Sequence, residues 1–201
     1  GKDGSGQVHE AGAYDYLEPY LFLLVKESGA DEALKPFRAT GASPPLKRLA
    51  EAAQSLGHVY SIPDQDGVTR HEYLALRYGE DEEVYPSFPL EIARLYLGLA
   101  RERVALLPGQ GIQLGEILVP TDQKSRLLIN YLGREGGFPM VSATDLLHGR
   151  VPPGTFTGKA VLVGTAAIGA YDQKATPFSA NFSGIEKNAT VVENIIHGRF
   201  L

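Results

Sequence analysis

Polar side chains that could meet a ligand gather in one part of the chain, the loop between Thr165 and Ser179. Asp172, Lys174 and Thr176 supply a carboxylate, an ammonium and a hydroxyl within five residues, and Pro177 stiffens the exit. Thr165, Tyr171, Glu186 and Asn188 flank them and complete the candidate ligand-binding set. These groups would lie at the crevice where an open α/β sheet takes its ligand. An alternative stays open, in which the loop only crosses the sheet edge and Asp172 bonds its own loop amides.

Catalytic and cofactor motifs fail on specific residues. Gly164 and Gly169 have phosphate-loop spacing, but Ala170-Tyr171 stands where Lys-Ser/Thr must follow, so the phosphates would lack a counter-charge. No dinucleotide-binding glycine fingerprint occurs either. Placing Gly67 at the sixth position of a calcium loop puts Ile62 and Tyr73 where oxygen ligands belong. His71-Glu72 opens like a zinc-protease helix, but Ala75 replaces the second histidine. No serine sits in a nucleophile elbow. A hydrolytic site on Asp172 lacks nucleophile–base spacing. Asn181-Phe182-Ser183 and Asn188-Ala189-Thr190 match the glycosylation sequon, which matters only in a eukaryotic secretory pathway. The expectation is therefore no catalytic residue, no metal and no cofactor.

The elements that must position the loop are readable on either side of it. Ala160–Val163 predicts a strand buried on both faces, ending at Gly164. Ser183 with Glu186 three residues on has capping-box spacing. Ile185, Ala189, Val192, Ile195 and Ile196 then predict one apolar helix face, with Gly198 as the stop. Strand, glycine-bearing loop and helix make an α/β unit, with a ligand crevice expected at the carboxyl end of the strand.

Further elements follow from spacing. Tyr20–Lys26 predicts a buried strand. Pro44-Pro45 opens a helix reaching Gly57. His58–Ile62 and Thr69–Tyr78 predict a hairpin about the Asp64–Gly67 turn. A second helix follows Pro86 and Pro89, with Leu90, Ala93, Leu97 and Ala100 on its apolar side. Ile112–Leu114, Glu116–Val119 and Leu127–Tyr131 predict strands, and Ser142–Leu147 a short capped helix. The expected fold class is α/β, a single domain with a mixed central sheet, a hairpin and flanking helices.

Composition sets the outer bounds. The 201 residues are 21% charged and 43% hydrophobic, enough for one well-buried core. The net charge of −5, with lysines and arginines scattered, argues against a nucleic-acid partner. Glu80–Glu83 is a dense acidic run that reads as a solvated turn. The chain has no cysteine, which excludes disulfides and thiolate chemistry. No apolar run approaches the roughly 20 residues of a membrane span. The chain opens on Gly1-Lys2 and not on methionine, as an excised segment would. Gly1–Ala13 is glycine-rich and polar, which predicts poor order.

In their order, several pieces resemble the second type of CHASE sensor domain, found outside the membrane in bacterial cyclases and histidine kinases. These are Leu49–Ala53 with Gly57-His58-Val59, the Asp64-Gln65-Asp66-Gly67-Val68-Thr69-Arg70 turn, Val119–Asp122 and Leu128–Tyr131. Phe138 with Ser142–Gly149, Gly158–Thr165, Asp172, Thr176-Pro177 and Gly184-Ile185-Glu186 continue the series. Asn188 departs from a histidine often found there. Residues 1–42 match poorly and are expected to be disordered at the start and otherwise truncated or diverged, leaving 43–201 as the sensor core.

The resemblance implies a periplasmic or extracellular sensory domain tethered to the cell membrane, with no enzymatic activity of its own. It implies transmembrane helices on both sides, and a cytoplasmic adenylate cyclase, two-component kinase or related module that reads the last helix. An unknown small-molecule or envelope ligand is the implied partner, with a homodimer left open. A periplasmic small-molecule binding module without signalling output is the alternative.

Overall fold

The computed structural model describes residues 15–22, 24–25, 34–79, 83–165 and 172–201. The expected start of the chain, Tyr171, and most of the Glu80–Glu83 run lie outside the described residues. The fold is mixed α/β, a single domain built from several small sheets and four α-helices.

A continuous extended stretch runs through the middle. β3 (His71–Tyr73) and β4 (Ala75–Tyr78) are separated only by fully buried Leu74. The first half pairs antiparallel with β9 (Arg126–Leu128). The second half lies between β2 (Phe37–Arg38), parallel, and β5 (Glu83–Pro86), antiparallel. At the switch, the Leu74 amide donates to the Ser125 carbonyl at 2.9 Å, and the Leu74 carbonyl accepts from the Ser87 amide at 3.0 Å. No ladder bond is therefore lost where the stretch changes sheets.

The mixed sheet has the order β1 (Leu24–Val25), β6 (Val104–Leu107), β7 (Gly111–Leu114), β8 (Ile117–Pro120). β1 runs parallel to β6, and the others form an antiparallel meander. Gly111 is forced: a Cβ there would lie 2.2 Å from the Val119 carbonyl oxygen. β10 (Gln173–Lys174) and β11 (Phe182–Ser183) form a separate antiparallel pair.

Two longer helices cover the core. α2 (Phe88–Tyr96) starts on Ser87, whose hydroxyl accepts from the Leu90 amide at 3.3 Å. α4 (Gly184–Ile196) packs against it. Between helices and sheets lie Leu90, Ala93, Leu106, Ile112, Leu114, Val119, Leu127, Val191 and Ile195. α1 (Lys47–Ala52) and α3 (Ala143–Leu147) are short. Among the described residues, no helix is long and apolar enough to cross a membrane.

Several sequence expectations change here. Ala160–Val163 forms no strand, and Val161 and Val163 are 51% and 88% exposed. A strand needs a ladder partner, and among the described residues no strand pairs with this run. The run belongs to a stretch, residues 132–165, that contributes no buried residue. The helix after Pro44-Pro45 ends at Ala52, where Ala53 turns extended. Leu24 and Val25 are exposed, not buried. The Asp64–Gly67 turn forms, with the Gly67 amide donating to the Asp64 carbonyl at 2.8 Å, but its flanks make no two-stranded ladder. His58 instead bridges Ser87, and β3 turns away to β9.

Candidate functional site

The Asp64–Arg70 turn is held by charge. Arg70 donates from Nη1 to Asp66 Oδ1 at 2.9 Å and from Nη2 to Asp66 Oδ2 at 2.7 Å. This two-point fork suits a planar guanidinium. Nη1 also reaches Asp64 Oδ2 at 3.1 Å, and His71 Nδ1 lies 3.1 Å from Asp64 Oδ1. Arg70 holds the Asp66 carboxyl well below the ordinary range, at about 2, and its bonds with those of His71 lower Asp64 against the upward push of desolvation.

Arg126 enters from the opposite side. Asp122 accepts its Nε at 2.7 Å and also the Lys124 and Arg126 amides, each at 2.9 Å. That knot places Ser125 at φ 59°, a left-handed conformation a non-glycine residue rarely adopts. The Arg126 guanidinium sits 5.8 Å from the centre of the Tyr73 ring. Phe37, Tyr60 and Tyr73 pack their rings at 5.4–5.5 Å. Between the two arginines lies an open cleft of about 450 Å³, lined by Pro63, Asp64, Gln65, Asp66, Arg70 and Arg126. Its charges are already matched by one another.

Strand alternation turns Glu72 away from that surface and into the core. Glu72 is fully buried and pairs with Lys187 of α4, which is 3% exposed. Burial pushes the Glu72 carboxyl above its ordinary range, and the Lys187 and Lys174 charges oppose that rise without cancelling it. His58 completes the node. Part of the residue reaches the surface, but both ring nitrogens are buried. Desolvation, aided by the Lys187 charge, lowers its pKa to about 3, so the ring is neutral. Neither ring nitrogen has a hydrogen-bond partner among the described residues, and neither does Glu72 Oε1. Tyr131 lies close enough to feel the Glu72 charge, and its hydroxyl donates to the Thr69 carbonyl at 3.0 Å.

α4 is buried or half-buried along its whole length. Lys187, Thr190, Val191, Asn194 and Ile195 face inward, so the buried stripe is much more polar than the expected one, while Ile185, Ala189 and Ile196 are half-buried. Asn194 is fully buried and grips the backbone of Asn130: its Oδ1 accepts from the amide at 2.9 Å, and its Nδ2 donates to the carbonyl at 3.0 Å. Ser183 makes no side-chain cap, and Glu186 does not close a capping box. The Glu186 Oε1 instead accepts from the Gly137 amide at 2.8 Å.

The sequence-predicted ligand residues fall in two groups. Asp172 and Lys174 lie at the start of α4. The Asp172 carbonyl accepts from the Gly184 amide at 2.8 Å, and a Cβ on Gly184 would lie 2.2 Å from its carboxylate. Lys174 Nζ is 3.4 Å from Asp172 Oδ1. The Thr165 carbonyl is 3.4 Å from the Ser183 hydroxyl, and Asn188 is half-buried on α4. Thr176 and Glu186 are buried in structural bonds: the Thr176 hydroxyl serves the local turn with Phe178 and Ser179. The Thr69 amide donates to the Ala175 carbonyl at 2.7 Å, which joins β10 to the charged turn.

Spacing alone missed His58, Glu72 and Lys187. The available signal was a charged residue inside each of two apolar stretches, Glu72 in the β3–β4 strand and Lys187 on α4. Among the described residues, no group of three or more metal-ligating side chains occurs.

No match was found among curated proteins or solved structures. The family model described as the CHASE2 domain matches residues 9–201. With nearly the whole sequence covered, the chain belongs to the CHASE2 family, a family of sensory domains of signalling receptors.

Proposed function

We propose that the chain is the extracytoplasmic input domain of a bacterial transmembrane receptor, and that α4 passes its signal to a cytoplasmic cyclase or kinase. The observation that carries this reading is the Glu72–Lys187 pair. It ties α4 to the strand that leaves the charged turn. Arg70 ends the turn, His71 opens β3, and Glu72 is the next residue. A displacement at the surface therefore reaches α4 through a stiff β-strand.

β10 supplies a second input to the same helix. Asp172 meets Gly184 at the start of α4, and Ala175 is bonded to Thr69 beside the turn. We assign ligand contact to Asp172 and Lys174, and count Thr165, Tyr171 and Asn188 with them, while Thr176 shapes the loop and Glu186 ties α4 to Gly137. The ligand must bind two states of the domain with different affinity, since equal affinity shifts nothing. Catalysis belongs to the output module in this reading.

Two experiments test it. The gene on either side of this segment should encode apolar stretches of span length. A single cleavable leader with no second span would favour the solute-binding alternative. In the full-length receptor, Glu72→Leu with Lys187→Met should change basal output while circular dichroism stays native. Unchanged output would overturn the assignment of α4 as transmitter.

A further inference from the structure

Three elements meet at Lys187. α4 brings the ammonium, β3 brings Glu72, and the segment between α1 and β3 brings His58, near enough to feel the Lys187 charge. His58 is fixed by its backbone: its amide donates to the Pro86 carbonyl at 2.9 Å, and its carbonyl accepts from the Phe88 amide at 2.8 Å. Gly57 permits this approach, because a Cβ there would lie 2.5 Å from the Phe88 nitrogen.

The hydrogen-bond inventory of the node is unbalanced. A lysine ammonium carries three N–H donors, and a neutral imidazole offers one lone pair and one N–H. The bond to Glu72 Oε2 uses one donor of Lys187. The two ring nitrogens of His58 and Oε1 of Glu72 stay unpaired. Each buried unpaired atom raises the free energy of this arrangement. The groups needed to pair some of them are already present, so a second arrangement requires no new residue. Among the described residues, Lys174 from β10 and Tyr131 from the segment after β9 also face the pair.

The supports of α4 define what can move. Asn194 pins the distal part through two bonds to Asn130. The first turn is held by the Asp172 carbonyl, just before half-buried β10, and by the Glu186 bond to the Gly137 amide. A tilt of α4 about Asn194 would carry Lys187 together with the Asp172 and Gly137 supports of the first turn.

We propose that α4 has two docked positions with Lys187 as the latch, held by Glu72 alone in the position described and shared between Glu72 and the His58 ring in the other. The ammonium keeps a carboxylate partner in both positions, so switching exposes no bare charge. The neutral ring supplies the accepting lone pair. The latch gives the proposed transmitter the two states it requires and rests on that reading only for its consequence in signalling.

The test needs no ligand and no output module. In ¹⁵N relaxation-dispersion measurements on this chain, amides of Gly184–Thr190 should exchange on the microsecond-to-millisecond scale at one common rate, with little exchange near Asn194. His58→Phe removes both ring nitrogens and should abolish the exchange. Exchange-free amides in the wild type, or unchanged exchange in His58→Phe, would overturn the latch. Should that variant fail to fold, the ring nitrogens of wild-type His58 decide: exchange at the helix rate supports the latch, and a static ring overturns it. Ordered waters bonded to all three unpaired atoms in a high-resolution crystal structure would also overturn it. Failure here would leave the assignment of α4 to be judged by receptor output.

Discussion

Replacing Lys187 by methionine keeps the length of the side chain and removes its charge. Glu72, which is fully buried, then loses its partner. Removing one member of a buried ion pair costs about 3–5 kcal/mol, because a desolvated charge is left uncompensated. For a domain of this size each kcal/mol lowers Tm by roughly 2–4 °C, so the expected loss is about 6–20 °C. The paired replacement, Glu72→Leu with Lys187→Met, should recover the loss, since well-packed apolar pairs are often neutral or more stable by about 1–4 kcal/mol. Urea unfolding at pH 7 with an unchanged m-value is the assay. A pH series adds a sign. Burial raises the Glu72 carboxyl, so the native state holds its proton to higher pH than the unfolded chain. The contribution of Glu72 to stability is complete below the ordinary carboxyl value of about 4.3 and is lost as pH rises from there through the raised folded value. The deficit of Lys187→Met should therefore shrink in acid, where Glu72 is protonated. A Lys187→Met variant within about 0.5 kcal/mol of wild type at pH 7, the usual range for surface changes, would refute the buried pair.

Three further outcomes follow from the same geometry. His58 is neutral in the fold with a pKa of about 3, whereas the unfolded chain takes up a proton near 6.5. Its stabilising contribution is complete above pH 6.5 and is lost as pH falls toward 3, by up to about 1.4 kcal/mol per pH unit. His58→Phe should flatten that part of the stability–pH curve, and an unaltered slope would place the ring in solvent. Carboxyl NMR should find Asp66 titrating near 2 and returning toward about 3.9 in Arg70→Ala. The contribution of Asp66 is present above the unfolded value and lost as pH falls through 2. An Asp66 that titrates normally in the wild type would break the fork. Asn194→Ala leaves the Asn130 amide and carbonyl without their partners, at about 1–3 kcal/mol for each group left buried. Thermal unfolding within 1 °C of wild type would show that Asn194 does not hold α4.

Local signals carried the elements that close on themselves. α2 begins where Ser87 and Pro89 place it, and β7 and β8 meet across the tight turn at Gly115. The Asp64–Gly67 turn is equally local, because its bonds lie within a few residues. Long-range pairing was not legible. Ala160–Val163 has the composition of a buried strand, but composition names no ladder partner, and Val163 is exposed. The helical wheel of α4 misled for a different reason. A helix covered on nearly every side shows no single apolar face. Lys187 and Asn194 sit inside because Glu72 and Asn130, far away in sequence, satisfy them. The first candidates, Asp172 and Lys174, proved to lie at the start of that helix, whereas the node of His58, Glu72 and Lys187 required the fold itself.

The assignment of α4 as transmitter is tested most directly by changing its phase in the full-length receptor. Insertion of one, two, three or four alanines after Gly198 rotates whatever follows by about 100° per residue, since a helix has 3.6 residues per turn. Output should fall or lock with one or two insertions and recover with four, with this domain still folded. Output that is the same for every insertion length would contradict transmission through α4.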